Sequence, residues 1–156
     1  MRVSGKDLTA FNKGRKFVPH VFELSMGVDR SLYVLLEHKL VREGRRRVLK
    51  LPPYLAPVQV AVLPLVDRDG LPEKAMEVYE MLRIDFDAVY EAGDTIGKRY
   101  HMLDEIGVPY CVTVDHQTLQ DETVTVRDRD TTRQERVPIS GLKAWLSKAL
   151  AYPEIR

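Results

Sequence analysis

The run "VQVAVLPLV", residues 58–66, narrows the folds open to this chain more than any other feature, because only Gln59 in it is polar. A strand wetted on one face alternates apolar with polar residues, so a run this apolar has to be covered on both faces. Cover on both faces calls for crossover helices, and the next residues supply the pattern. From Pro72, whose ring suits a first-turn position, Ala75, Val78, Tyr79 and Leu82 recur at helical spacing. "DAVYEAG" (87–93) then predicts a short strand closed by Gly93. "DTIGKRYHMLDEIG" (94–107) predicts a helix with the stripe Ile96, Tyr100, Leu103 and Ile106 and with Gly107 as its C-terminal cap. Strand alternating with helix is the repeat of a parallel α/β sheet.

The remainder departs from that repeat. Strands are expected at 109–114 and 123–128, joined by a polar loop long enough for an antiparallel return, and "RQERVPI" (133–139) can add a last one. Leu142, Trp145, Leu146, Ala149 and Leu150 predict a closing amphipathic helix with Trp145 as a core anchor. Upstream, "FVPHVFELS" (17–25) reads as an extended segment running into a helix on which Val28, Leu32, Leu35 and Leu36 form one stripe. The basic run Arg45, Arg46, Arg47 and the prolines Pro52, Pro53 and Pro57 mark a connector, which places a boundary near Leu55. The succession βαβαβββα predicts an α/β domain over 55–156, its first strands parallel and a later one antiparallel. Residues 1–54 are too few and too irregular for a second complete domain, and are expected to be the end of something larger.

Charge limits what such a domain can bind. With 24 Lys+Arg against 23 Asp+Glu the formal net charge is +1, so any nucleic-acid contact has to rest on a local patch. The single cysteine, Cys111, lies inside an apolar run, where a buried packing role is expected and no intrachain disulfide is possible; a reducing cytosol fits. His20, His38, His101 and His116 lack the short spacings of zinc ligands, so no structural metal is expected. No stretch reaches about 18 uninterrupted apolar residues and the N-terminus lacks an apolar signal core, so neither a membrane span nor secretion is expected.

Three stretches carry candidate chemistry. In "GVDR", Arg30 at a helix start can project a guanidinium toward phosphate oxygens, while Asp29 offers it an ordinary ion-pair partner instead. In "VPHVFELS", Glu23 is costly in an apolar strand unless the strand is a wet edge or a cation is bound there. On the strand ending at 129, the two-residue period puts Thr125, Arg127 and Arg129 on one face, so that the arginines extend past the covered core. Lys98, Arg99 and His101 can join them, with Asp104 and Glu105 as acceptors, in a mixed surface able to read base edges. A salt-bridged strand end with no ligand explains the same residues, and periodicity leaves both readings open.

Taken together, these stretches resemble the C-terminal part of glycyl-tRNA synthetase of the α2 type found in archaea, eukaryotes and some bacteria. The likeness runs from about Phe17 to Leu150, and "GKRYHMLDEIGVPYCVTVD" and "TVTVRDRDTTRQERV" are its most specific phrases. The resemblance implies a three-layer αβα anticodon-binding domain with a five-stranded mixed sheet over 55–156, preceded over 1–54 by a remnant of the class II catalytic domain that includes motif 3. It implies that Arg30 contacts the phosphates of ATP, carried with Mg2+, and that Glu23 and Ser25 hold glycine; Leu24 replaces the family's proline between them. It implies tRNA(Gly) as partner, read at its two shared anticodon cytosines, with Lys98, Arg99, Asp104, Glu105, Arg127, Arg129 and Arg133 as candidates for the anticodon surface. The larger enzyme is expected to be a cytoplasmic homodimeric glycine–tRNA ligase. Motifs 1 and 2 do not fit into the first 16 residues, so this chain alone is expected not to form glycyl-adenylate. The alternative is a free-standing anticodon-domain-like module that binds RNA or protein.

Overall fold

The computed structural model describes residues 22–153 continuously, preceded by residues 2–3, 6–7, 10–12, 15–18 and 20. It divides into two units, 1–33 and 34–156. In the first, β1 (Arg2–Val3) pairs antiparallel with β2 (Lys6–Asp7), and β3 (Ala10–Asn12) with β4 (Arg15–Phe17). The strand expected over 17–25 ends at Phe17. Residues 22–27 are irregular and exposed, Phe22, Leu24 and Met26 included, and no strand among the described residues offers them a ladder. Helix α1 (Val28–Lys39) begins as expected, but none of its residues is buried and Val28, Leu32 and Leu36 remain exposed.

In the second unit, β5 (Leu40–Glu43) and β6 (Arg46–Leu49) form a tight hairpin, with Gly44 in the turn at φ 63°. After a 3-10 turn at Pro53–Leu55 come β7 (Val60–Pro64), α2 (Leu71–Leu82), β8 (Ala88–Tyr90), α3 (Ile96–Ile106), β9 (Tyr110–Val114), the short α4 (Thr118–Asp121), β10 (Thr123–Asp128), β11 (Gln134–Pro138) and α5 (Ile139–Ala149). Five of these strands make one mixed sheet in the order β11-β10-β9-β7-β8. β7 runs parallel to β8 and β9, whereas β10 is antiparallel to both β9 and β11. This is the α/β architecture the sequence predicts, with α4 as an unforeseen turn of helix in the polar loop.

Alternation along the strands assigns the two faces. Val60 and Val62 of β7, Tyr110, Val112 and Val114 of β9, Val124 and Val126 of β10 and Val137 of β11 point to one side. There they meet Leu71, Ala75, Val78 and Leu82 of α2 and Leu142 and Leu146 of α5. Each fully buried valine or leucine contributes roughly 1.5–3 kcal/mol of transfer free energy. On the other side Ala61, Leu63 and Cys111 meet Leu103 of α3 and Val108. Cys111 is buried there, and loss of water pushes its thiol up to about 12, which suits a packing residue. Gly107 caps α3 at φ 87°, and a Cβ on it would stand 3.1 Å from the Leu49 carbonyl oxygen, so hairpin β5–β6 is fitted closely over the end of that helix. The hairpin therefore lies in the same unit as the sheet, although it precedes the proline-rich connector.

Candidate nucleic-acid interface

The α3 side of the sheet is apolar only over β7 and the middle of β9. Toward β10 and β11 the residues that fall on this face are Thr113, Thr123, Thr125, Arg127, Gln134 and Arg136, whereas Val112, Val114, Val124, Val126 and Val137 of the same strands take the opposite face. Such a sheet cannot be sealed by an apolar helix, and its groups satisfy one another. Arg136 spans the edge: its Nη1 and Nη2 donate to Asp115 Oδ2 at 2.6 Å and Oδ1 at 2.9 Å, and its Nε to Thr123 Oγ1 at 2.9 Å. Nη1 also reaches Thr125 Oγ1 at 3.1 Å. This fork, opposed by partial burial and helped by Thr118, holds the Asp115 carboxyl down at about 2. Tyr100 and Thr113 share a hydroxyl hydrogen bond of 2.7 Å deeper in the same face.

Arg127 sits below this surface. The expectation that Arg127 and Arg129 project past the core into solvent is wrong: both are buried, as are Arg99 and Asp104. The Arg127 guanidinium lies 4.7 Å over the Tyr100 ring and donates from Nη1 to Asp104 Oδ1 at 2.9 Å and from Nη2 to Oδ2 at 3.0 Å. Burial works against the arginine's charge, the Asp104 carboxylate outweighs it, and the Arg127 pKa rises. Asp104 also accepts from Arg46 Nε of the hairpin at 2.7 Å, while Arg46 Nη2 donates to the Arg129 carbonyl. Arg129 turns inward to main-chain acceptors, Gly107 O at 2.9 Å and Leu51 O at 2.7 Å, and its remaining edge is closed by Asp130, with Nε–Oδ1 and Nη2–Oδ2 both at 2.9 Å. The physical reason is that leaving a guanidinium charge buried and unpaired costs several kcal/mol, and each aspartate and carbonyl found here offsets it.

The other expected residues are dispersed. Arg99 ties together the carboxyl ends of β7 and β8, donating to Pro64 O at 2.8 Å, Glu91 O at 3.0 Å and Leu65 O at 3.3 Å. Lys98 is exposed and paired with Asp94 at 3.0 Å, and Glu105 is exposed and paired with Arg47 at 3.3 Å. Arg133 lies in the β10–β11 turn and lines a cleft with Trp145 and Tyr110 on the α5 side, the opposite face from Arg127. In the first unit Glu23 and Ser25 are exposed ahead of α1, and Arg30 is exposed in its first turn. Among the described residues no group of three His, Cys, Asp or Glu side chains is placed to hold a metal ion, and no helix is long and apolar enough to cross a membrane.

Sequence reasoning passed over Asp115, Thr113, Thr123, Arg136 and Arg46. For Arg136 the two-residue period of β11 sets its face, but its place across from Thr125 follows only from the register of β10 against β11. Arg46 gave none, because one arginine of three in a basic run looks like any other.

Residues 59–149 match the family model described as the anticodon binding domain. The chain is 50% identical over 147 residues to a glycine–tRNA ligase of Methanothermobacter thermautotrophicus, covering 94% of this chain and 26% of that protein. It is 54% identical over 129 residues to a glycine–tRNA ligase of Pyrococcus furiosus, covering 81% and 23%. It thus spans about a quarter of the length of the curated relatives it matches. Among solved structures, the RNA binding domain of threonyl-tRNA synthetase from Cryptosporidium parvum superposes with a TM-score of 0.59 at 29% identity, over 64% of this chain and 25% of that one. Prolyl-tRNA synthetase from the same organism gives 0.60 at 28%, over 65% and 22%.

Proposed function

Because this chain belongs to the anticodon binding domain family, we propose that it is the anticodon-reading part of a glycine–tRNA ligase and that the polar α3-side face of β9, β10 and β11 is where the anticodon is read. The observation that carries this is the mixture on that face. Arg136, Asp115 and the threonine hydroxyls give donors and acceptors side by side on a rigid sheet, and base edges are told apart by such a mixture, whereas a purely cationic patch only grips phosphate. Arg99, Asp104, Arg127 and Arg129 act from beneath, by holding the sheet and α3 in register. The exposed Lys98 and Glu105 contribute at the margins of that face, the lysine toward phosphates, and Arg133 meets phosphate from the α5 side, where the β10–β11 turn ends the sheet.

The partner is tRNA(Gly), through the two cytosines its anticodons share. In the larger protein, residues 1–54 are the end of the class II catalytic domain and residues 55–156 the anticodon-binding domain. There Arg30, exposed at a helix start, neutralises phosphate charge of ATP brought with Mg2+ and so stabilises the charge that develops as the glycine carboxylate attacks. Glu23 meets the glycine ammonium and Ser25 assists. The parent enzyme works as a homodimer in the cytoplasm.

The test is the affinity of this chain, at fixed salt, for a glycine tRNA and for the same tRNA with both shared cytosines changed. Discrimination is expected, and Arg136→Ala should remove about 1–3 kcal/mol of it. Equal affinities that both fall steeply with salt would leave only phosphate gripping and refute the reading.

A further inference from the structure

Resting on the reading just given, we infer that Arg46 of hairpin β5–β6 is a remote positioning residue for anticodon discrimination, acting through Asp104 and the Arg129 carbonyl without touching RNA.

Two strands of argument meet at this side chain. Asp104 is the shared acceptor of two arginines from different elements, with Oδ2 taking Arg127 Nη2 at 3.0 Å and Arg46 Nε at 2.7 Å. Arg127 sits beside the reading face, stacked over Tyr100, whose hydroxyl is bonded to Thr113 of that face. Whatever fixes Asp104 therefore fixes Arg127, and through Arg127 the ring that underlies the face. The same guanidinium bonds the carbonyl of Arg129, one residue past the end of β10, so Arg46 pins both α3 and the strand that carries Thr123 and Thr125. Its third edge is turned to Glu43 of its own hairpin at 3.1 Å.

The geometry also says why Arg46 acts indirectly. Its side chain is only 13% exposed, against 30% for Arg136, and each of its three nitrogens already donates to a protein acceptor, so little of the guanidinium is open to a phosphate. The hairpin it belongs to is fitted closely over the end of α3, where a Cβ on Gly107 would stand 3.1 Å from the Leu49 carbonyl oxygen. A hairpin presenting one N–H to a buried carboxylate and another to a strand-end carbonyl sets orientation, and orientation decides discrimination more than gross affinity.

The experiment compares the full chain with Arg46→Gln, Arg46→Lys and Arg136→Ala, all well below their melting temperatures. Each is titrated with an anticodon-arm RNA carrying the two cytosines and with one carrying uracils, over a series of salt concentrations. Arg46→Gln is expected to shrink the affinity ratio between the RNAs by between about threefold and thirtyfold. The salt slope should stay at the wild-type value, because no phosphate contact is lost. Arg46→Lys keeps the charge but cannot bridge Asp104 and the Arg129 carbonyl in the same geometry, so its ratio should fall between the two. Should the glutamine variant not fold, the lysine variant decides: a wild-type ratio in it overturns the inference. A uniform loss for both RNAs with a shallower salt slope in Arg46→Gln would make Arg46 a direct phosphate contact and also overturn it. If Arg136→Ala abolishes discrimination while Arg46→Gln retains all of it, the inference fails and the reading of the face stands. If the wild type itself does not discriminate, the reading fails first.

Discussion

Replacing Asp104 by asparagine tests the claim that the arginines near the reading face are structural. The carboxylate accepts three N–H groups, at 2.9, 3.0 and 2.7 Å, from two guanidinium groups, and its side chain is 1% exposed. Asparagine keeps the shape but offers one acceptor oxygen and turns an NH2 toward a guanidinium, leaving Arg127 buried with its charge uncompensated. Breaking a buried pair in this way costs about 3–5 kcal/mol, against a total stability of about 5–15 kcal/mol for a domain. At about 2–4 °C per kcal/mol for a chain of this size, the melting temperature should fall by roughly 6–20 °C. In urea the midpoint should drop with the slope unchanged, since the surface exposed on unfolding is the same. The double variant Asp104→Leu with Arg127→Met removes that pair together and should recover the part of the loss due to Arg127, while Arg46 keeps Glu43 as its carboxylate. A loss below about 1 kcal/mol in Asp104→Asn, or a double variant worse than the single, would show that the pair is in effect wet and that the buried-network argument is wrong.

Two further outcomes follow from geometry. Gly107→Ala should destabilise more than Gly70→Ala in parallel urea titrations: both have positive φ, 87° and 78°, costing about 1–2 kcal/mol each, but only at Gly107 does the new methyl group meet a carbonyl oxygen at 3.1 Å. The Arg136 fork holds the Asp115 carboxyl below its ordinary 3.8 at about 2, and a lowered folded-state pKa means stability that is present above the unfolded value and lost as pH falls through the window from about 4 to 2. In acid titrations followed by circular dichroism, Asp115→Asn should therefore be less stable than wild type at pH 6, with the gap closing as pH approaches 2.

What the sequence made legible was whatever local periodicity encodes. The run at 58–66 named its strand, the stripe from Ala75 to Leu82 named its helix, and Gly107 was read as a cap for the reason the φ angle shows. The strand near residues 17–25 failed because extended character needs a partner, and pairing is not a local property. The arginines failed differently. The two-residue period put Arg127 on the correct face, but whether that face is wet depends on α3 and on a hairpin some eighty residues upstream. Arg136 and Asp115, 21 positions apart, meet only once the register of β10 against β9 and β11 is known.

Arg99 and Arg129 bond largely to backbone carbonyls, those of Pro64, Leu65 and Glu91 for one and of Gly107 and Leu51 for the other. Every amino acid supplies a carbonyl, so substitution at those five positions leaves the acceptor in place, while no other side chain can stand in for the guanidinium. Mutational sensitivity in this domain is thus one-sided. The arginines should tolerate almost nothing, no exchange of a neighbouring side chain should rescue them, and pairwise covariation among relatives should pass over contacts that hold much of the sheet's end together.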